Sequence, residues 1–523
     1  MPKKPVKITY VTMAADESLH PKFETALKRL STKLGESHPM HIGREEVRSD
    51  AGEFEGRSPI DRSIVVSKFP IGTRDHARKA IEAARAGFES WSSTPWRRRV
   101  RILERYSSLI DERKFDISAA ITYEVGKNRL EALAECWEAI DAVKYYAGVM
   151  RKEKGYAMRM GKGGPGERSL TICKPHGVWP VISPFNFPFM LANGMAMGAL
   201  ITGNTVILKP TSQAPLTGLM LYQLYRDAGV PAGAVNFVTG PGSNFEDEFV
   251  SNPDVAGIAF TGSKDVGMRL FRRFHTEQPY PKPILLEMGS KNPTIVASSA
   301  DIDKAVEGTV RAAFGYGGQK CSATSRVYVE KGAKGRFLSA LRSRVEKIKV
   351  GDPRERDVFM GPVIDEKAVN KFREAVDEAK KSGAKFVAGG EVPESGMKGY
   401  YVSPTVVADL PEDSRLLKEE LFIPFVVVNE VGSVKEAVAK ANSTEYGLTA
   451  GIFARNKKEM KTFFDGIQFG VAYANRSGGS TTGAWPGAQS FTGWKGSGVT
   501  GRGVGSPFYL LNFVRDQSQT TVV

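Results

Sequence analysis

From Gly177 onward, short apolar runs alternate with helical segments. Val178-Trp179-Pro180-Val181-Ile182 reads as a strand, and a helix is predicted from Pro188, proline being favoured in a first helical turn. Thr205-Val206-Ile207-Leu208 is the next strand, followed by a helix from Pro215 to Ala228. Residues 235–238 and 257–260 are further strands. A strand that is apolar throughout must be covered on both faces, so this alternation predicts a parallel sheet flanked by helices. A second alternating block runs from about Ile284 to Tyr473, with Ile295-Val296, Val327-Tyr328-Val329 and Phe425-Val426-Val427-Val428 as strand material. The fold class is α/β.

Upstream, the text is helical. Ala77, Ile81, Ala84 and Phe88 recur at three- and four-residue intervals, as do Val100, Leu103 and Tyr106. Residues 131–150 form another long amphipathic segment. Residues 21–34 are predicted as a helix with Leu27, Leu30 and Leu34 on one face, inside an N-terminal extension. Residues 156–160 and 169–173 read as strands joined by a glycine-rich turn. A hairpin between two larger blocks suits an arm, and residues 509–523 read as a strand-like tail.

Charge and cysteine usage narrow the function classes. The formal charge is +15, from 73 Lys and Arg against 58 Asp and Glu. The positive residues are dispersed, and the run Trp96-Arg97-Arg98-Arg99 falls in a helical pattern, so it reads as a solvated face rather than a nucleic-acid patch. A diffuse positive field favours anionic small molecules. The most apolar stretch, residues 187–201, is broken by Asn193, Gly194 and Gly198 and is shorter than the roughly 20 residues of a membrane span. Cys136, Cys173 and Cys321 are too few for a disulfide framework or a zinc site, and no secretory signal is visible. The expectation is a cytoplasmic protein with no metal, nucleic-acid or membrane partner.

Four motifs carry chemistry. In Gly317-Gly318-Gln319-Lys320-Cys321-Ser322-Ala323, small residues and a lysine surround a cysteine. Small neighbours let a substrate reach the sulfur, and a nearby cation lowers the thiol pKa toward the thiolate. The same residues also suit a small side chain in a tight turn. Glu287 follows Ile284-Leu285-Leu286 at an expected strand end, where open α/β sheets place their ligands; a solvated or capping carboxylate fits there too. Asn186, in Ser183-Pro184-Phe185-Asn186-Phe187-Pro188, either stabilises an oxyanion or caps the next helix. Gly262 lies in a loop between a strand and a helix, in Phe260-Thr261-Gly262-Ser263-Lys264. That geometry suits a pyrophosphate at a helix N-terminus, although the G-x-G-x-x-G fingerprint is absent.

The order Asn186, Gly262, Glu287, Cys321, joined by Leu208-Lys209-Pro210, residues 419–424 and residues 442–449, resembles the aldehyde dehydrogenase superfamily from about residue 40 to 523. The resemblance implies the aldehyde dehydrogenase fold: a Rossmann-like cofactor domain, a catalytic α/β domain and a β oligomerisation arm. On this chain the NAD(P)-binding domain is expected at 51–155 and 174–286, the catalytic domain at 287–499, and the arm at 156–173 with 500–523, after an extension over 1–50. The implied assembly is a homo-oligomer, a dimer or an assembly of dimers. The implied reaction converts a small-molecule aldehyde to its carboxylic acid with NADP or NAD. In it Cys321 attacks the aldehyde, Asn186 and the Cys321 amide hold the oxyanion, and Glu287 activates water to hydrolyse the thioester. Implied cofactor contacts are Lys209 to the adenosine ribose, Ser263 to the pyrophosphate, and Glu420 with Phe422 to the nicotinamide-side ribose. Ser183, Pro184, Phe185, Gly240, Gly262 and Gly289 complete that site. Ser212 stands where many NAD-preferring members carry a glutamate, so NADP is expected to be accepted alongside NAD.

Within the family the chain is similar to the 1-pyrroline-5-carboxylate dehydrogenases, which oxidise glutamate γ-semialdehyde to glutamate. Residues 314–323, Asn475-Arg476-Ser477, residues 361–365 and the N-terminal extension carry that likeness. It implies substrate contacts at Phe187, Lys320, Ser322 and Gly493. The chain departs from the subfamily where Ser490-Phe491-Thr492-Gly493-Trp494 replaces Pro-Phe-Gly-Gly-Ala, after about four extra residues within 484–489. Trp494 in place of alanine predicts a preference for an apolar or aromatic aldehyde, making a broad-specificity aldehyde dehydrogenase the alternative. Ile423 replaces a usual glycine. Readings of another class are an inactive scaffold, against which the intact Cys321, Glu287 and Asn186 speak, and a nucleic-acid-binding protein.

Overall fold

The computed structural model describes residues 16–393, 398–478 and 486–523. Two seven-stranded sheets organise them. In spatial order the first runs Ile284–Glu287, Ile258–Thr261, Val178–Ile182, Thr205–Lys209, Val235–Phe237, Met40–Ile42, Glu45–Val47. The first five strands are parallel and the last two antiparallel. Thr205–Lys209 and Ile258–Thr261 are buried along their whole length, as their apolar text requires. Two strands from the expected N-terminal extension thus join this sheet, while the helix Leu19–Ser31 buries Phe23, Ala26 and Leu27.

Strand order reverses around Val178–Ile182. The next strand in the chain lies on one side of it, and Ile258–Thr261 lies on the other. Connections leaving the carboxyl ends of these neighbours diverge, which opens a crevice there. The helix after Val178–Ile182 begins at Met190, two residues later than the proline predicts. Its amino end is met by the Glu135 carboxylate, which accepts the Phe189 and Met190 amides at 3.2 and 3.1 Å. Asn186 is therefore not the helix cap.

The second sheet runs Lys385–Ala388, Thr405–Ala408, Phe425–Val431, Thr324–Glu330, Asn292–Val296, Thr449–Phe453, Val471–Ala474, all parallel except the first. A separate three-stranded antiparallel sheet joins the hairpin to the tail: Val514–Val522 pairs with Glu167–Pro175, which pairs with Ala157–Arg159. No helix among the described residues is long and apolar enough to cross a membrane.

Candidate active site

At the reversal point lies a cleft of about 490 Å³, a size typical of small-molecule sites. Ser183, Pro184, Phe185 and Asn186 line it where Val178–Ile182 ends. Gly262 and Ser263 line it from the neighbouring strand end. Ser263 caps the helix Lys264–Glu277, its side chain accepting from the Val266 amide, so the positive end of a helix dipole faces the cleft. Lys209 ends the next strand. It is buried, its Nζ lies 3.2 Å from the Pro210 carbonyl, and among the described residues it has no carboxylate partner. Burial pushes its pKa down to about 8. A buried cation without an acid, beside a helix N-terminus, fits the phosphates and ribose of a dinucleotide.

The far end of the cleft is lined by Cys321, Gly289, Glu420 and Phe422. The Glu420 carboxylate accepts the Ser290 amide at 2.7 Å, and burial pushes its pKa up to about 7. A Cβ on Gly289 would meet this carboxylate, so a larger residue there would push Glu420 aside. Phe422 holds a φ of 60°, a strained conformation for an aromatic residue, with its ring edge-on to Phe185 across the cleft. Ile423 instead turns into the core beside Leu421 and Phe425.

Cys321 follows a turn whose residues Tyr316, Gly317 and Gly318 take left-handed φ values of 50°, 60° and 69°. Two amide side chains hold this turn. Gln319 Nε2 donates to the Tyr316 and Pro362 carbonyls, and its Oε1 accepts the Ile364 amide. Asn292 Nδ2 donates to the Cys321 and Ala323 carbonyls at 2.7 and 2.9 Å, and its Oδ1 accepts the Thr449 amide. The sequence assigned neither residue a role. The available signal was an amide side chain at the head of an otherwise apolar strand.

Glu287 is half-buried at the end of Ile284–Glu287. Burial pushes its pKa up to about 8 against a hydrogen bond from the Gly493 amide. Its Oε2 is buried without a partner among the described residues. The Cys321 thiol is pushed up to about 12 by burial and by the charges of Glu420 and Glu287, against stabilising amides of Cys321 and Ser322.

Several expected roles need correction. Lys320 does not line the cleft. Its Nζ is buried in an ion pair with Glu131 at 2.8 Å, on the other side of the turn. Ser212 does not line the cleft either; Thr211 does, and so does Lys371, which the sequence reading missed. Gly240, at φ 127°, packs against the Gly72 backbone and is not among the lining residues. Trp494 is 46% exposed, because its two-residue strand pairs with Tyr446–Gly447 at the surface. Its ring therefore does not narrow a substrate pocket. Phe187 is buried beneath Asn186 against Lys127, and Ser322 is buried beside Cys321. Of the extra residues expected within 484–489, Ala484 and Trp485 lie outside the described residues.

Residues 47–518 match the Aldehyde dehydrogenase family. The chain belongs to the aldehyde dehydrogenase family. It is 36% identical over 513 residues to a 1-pyrroline-5-carboxylate dehydrogenase of a Geobacillus species, covering 98% of this chain and 97% of that protein. It is 38% identical to the enzyme of that name from Anoxybacillus flavithermus, over 94% of each. Among solved structures it superposes with a TM-score of 0.94 on a Thermus 1-pyrroline-5-carboxylate dehydrogenase with bound NAD, at 33% identity over the whole of both chains. A betaine aldehyde dehydrogenase from Staphylococcus aureus in complex with NAD+ gives a TM-score of 0.89 at 28% identity, over 96% of this chain and 97% of that one. The family, its fold and the subfamily likeness expected from the motifs are borne out. The protein is an NAD(P)-dependent enzyme that oxidises an aldehyde to the acid.

Proposed function

We propose that this aldehyde dehydrogenase acts on glutamate γ-semialdehyde, the open form of 1-pyrroline-5-carboxylate, and that Cys321, Asn186 and Glu287 carry the chemistry. The observation that supports the substrate is the placing of the 493–494 segment. Its Gly493 amide already holds a carboxylate, that of Glu287, while the Trp494 ring points to solvent. The tryptophan therefore takes no space from a substrate at Cys321. The curated relatives at 36–38% identity carry the same substrate in their names.

In the reaction the Cys321 thiol gives up its proton and its sulfur bonds to the aldehyde carbon. The developing oxyanion is held by the Asn186 side-chain amide and the Cys321 N–H. A bound nicotinamide supplies the hydride acceptor, held by residues of the cleft. Glu287 then takes a proton from the water that attacks the Cys321 thioester, and sulfur departs as the acid forms. A carboxylate with a pKa near 8 is a competent base at mildly alkaline pH. The test is a panel of aldehydes with NAD and NADP, read as absorbance of the reduced cofactor. Glutamate γ-semialdehyde should give the highest kcat/KM; a higher value for benzaldehyde or hexanal would assign a broad-specificity enzyme instead.

A homo-oligomer is part of the same proposal. The nine-residue tail strand Val514–Val522 covers only one edge of the arm and is exposed along nearly its whole length. Met158 and Met160, at the hairpin's other edge, are 59% and 53% exposed. An open strand edge with exposed apolar side chains calls for pairing with another copy.

A further inference from the structure

Beneath the turn and loop that carry Cys321 and Asn186 runs one buried helix, Arg129–Lys152. Two of its carboxylates, Glu131 and Glu135, are four residues apart, so they rise from one face on successive turns. Each reaches a different half of the site. Glu131 Oε1 holds Lys320 Nζ at 2.8 Å, and Lys320 immediately precedes the nucleophile. Glu135 Oε2 accepts the Phe189 and Met190 amides, closing the loop that carries Asn186.

A third group ties the two halves together. Lys127, wholly buried, donates to Glu135 Oε1 at 2.6 Å. Its Nζ lies 3.4 Å from the centre of the Phe187 ring and 4.9 Å from that of Tyr316. Phe187 follows Asn186 directly, and Tyr316 sits in the left-handed turn before Cys321. Tyr316 is itself pinned by its hydroxyl, which donates to the Val125 carbonyl at 2.7 Å. One ammonium therefore touches the ring on the oxyanion side and the ring on the nucleophile side. No group of this cluster lines the cleft, so none has a part in the chemistry directly.

We propose that Lys127, Glu131 and Glu135 form a positioning frame that sets the distance between the Cys321 sulfur and the Asn186 amide, and so the alignment of the oxyanion hole. A side-chain amide stabilises an oxyanion only at hydrogen-bond distance from where that oxygen forms. The two donors of this site sit on segments 135 residues apart in sequence, 186 against 321. A common buried ruler fixes their relative position without occupying the substrate's space.

The inference rests on the roles of Cys321 and Asn186 given above, and its test separates the two. The burst of reduced cofactor in single turnovers of glutamate γ-semialdehyde with NAD reports acylation and hydride transfer. Alkylation of Cys321 by iodoacetamide reports thiol reactivity and needs no oxyanion hole. In Glu135→Gln the burst rate should fall at least tenfold while alkylation stays within twofold of wild type. The double variant Lys127→Met/Glu135→Gln removes both buried charges together. It should recover the thermal midpoint lost in the single variants yet keep the slow burst. If the double variant recovers the burst as well, the pair serves folding alone and the frame is wrong. If burst and alkylation fall by the same factor in Glu135→Gln, the effect is general loosening and the frame is again wrong. Asn186→Ala is the control for the underlying reading. An undiminished burst there overturns the role of Asn186 itself, whereas a slow burst there with a normal burst in Glu135→Gln overturns only the frame.

Discussion

Glu287 and Cys321 face opposite demands. The thiol is pushed up to about 12 partly by the negative charge of Glu287, which must itself be ionised to act as base. Glu287 is protonated below about pH 8, where it cannot accept a proton from water. Hydrolysis of the thioester is therefore expected to rise with pH through about 8 and then level off. A steady-state kcat profile should show this inflection, and Glu287→Gln should abolish it while sparing the burst. Asn186→Ala should lower acylation by about 10²–10³, the usual cost of one oxyanion donor, as read from the burst rate. Cofactor choice is also set at one residue. Thr211 lines the cleft two positions after Lys209, so a carboxylate there would repel a 2′-phosphate. Wild type should use NADP and NAD within about a hundredfold of each other, roughly 2.7 kcal/mol. Thr211→Glu should cut kcat/KM for NADP at least tenfold more than for NAD. The sequence made the reactive residues legible because their types are chemically unusual in their settings. It misled at Lys320, Ser212 and Trp494, because adjacency in the chain says nothing about which way a side chain turns. Lys320 found a buried acid 189 positions upstream, and Trp494 lies in a two-residue strand whose side chains are both exposed.

At the scale of elements, the nucleophile turn is held by the head of a strand. Asn292 opens Asn292–Val296 and makes three of its four possible side-chain hydrogen bonds to backbone groups, two in the Cys321 turn and one at Thr449. Replacing it with alanine leaves buried carbonyls and an amide unpaired, each at about 1–3 kcal/mol. Asn292→Ala is expected to lose about 2–5 kcal/mol of stability by denaturant unfolding. The burst rate should fall with it, since Asn292 ties the carbonyls on either side of Ser322 to this sheet. A variant that unfolds like wild type would show that the turn holds itself. The parallel strands of the first sheet and three strands of the second were legible from apolar runs, whereas Lys385–Ala388, Thr405–Ala408, Thr449–Phe453 and Val471–Ala474 were not singled out. The start of the helix Met190–Thr202 was not legible, because its cap comes from Glu135, 55 residues before Met190. Likewise the two edge strands at 40–47 carry too few apolar residues to announce themselves, and they exist because the sheet offers them an edge.

For the molecule as a whole, the arm decides whether the chain works alone. Its three-stranded sheet gains little from burial: Val514–Val522 is exposed along nearly all its length, and Ala157–Arg159 is exposed throughout. Three strands of which only the middle one, Glu167–Pro175, is partly covered are marginal by themselves in water. Among the described residues the catalytic sheet meanwhile ends at Val471–Ala474, which pairs on one side only, with Thr449–Phe453. In the proposed homo-oligomer, a thinly covered arm and a sheet with a free edge would complement each other between two copies, and a two-fold arrangement would satisfy both at once. The expected outcome is a dimer or larger assembly by sedimentation velocity at micromolar concentration. Ending the chain after Phe513 removes the tail strand and leaves Glu167–Pro175 paired with Ala157–Arg159 alone. That variant should sediment as a monomer with a lower thermal midpoint. It should keep cofactor binding, because the cleft draws none of its lining from residues 514–523. An assembly of unchanged size after truncation would place the interface elsewhere. An active wild-type monomer would mean that the exposed arm is stable without a partner.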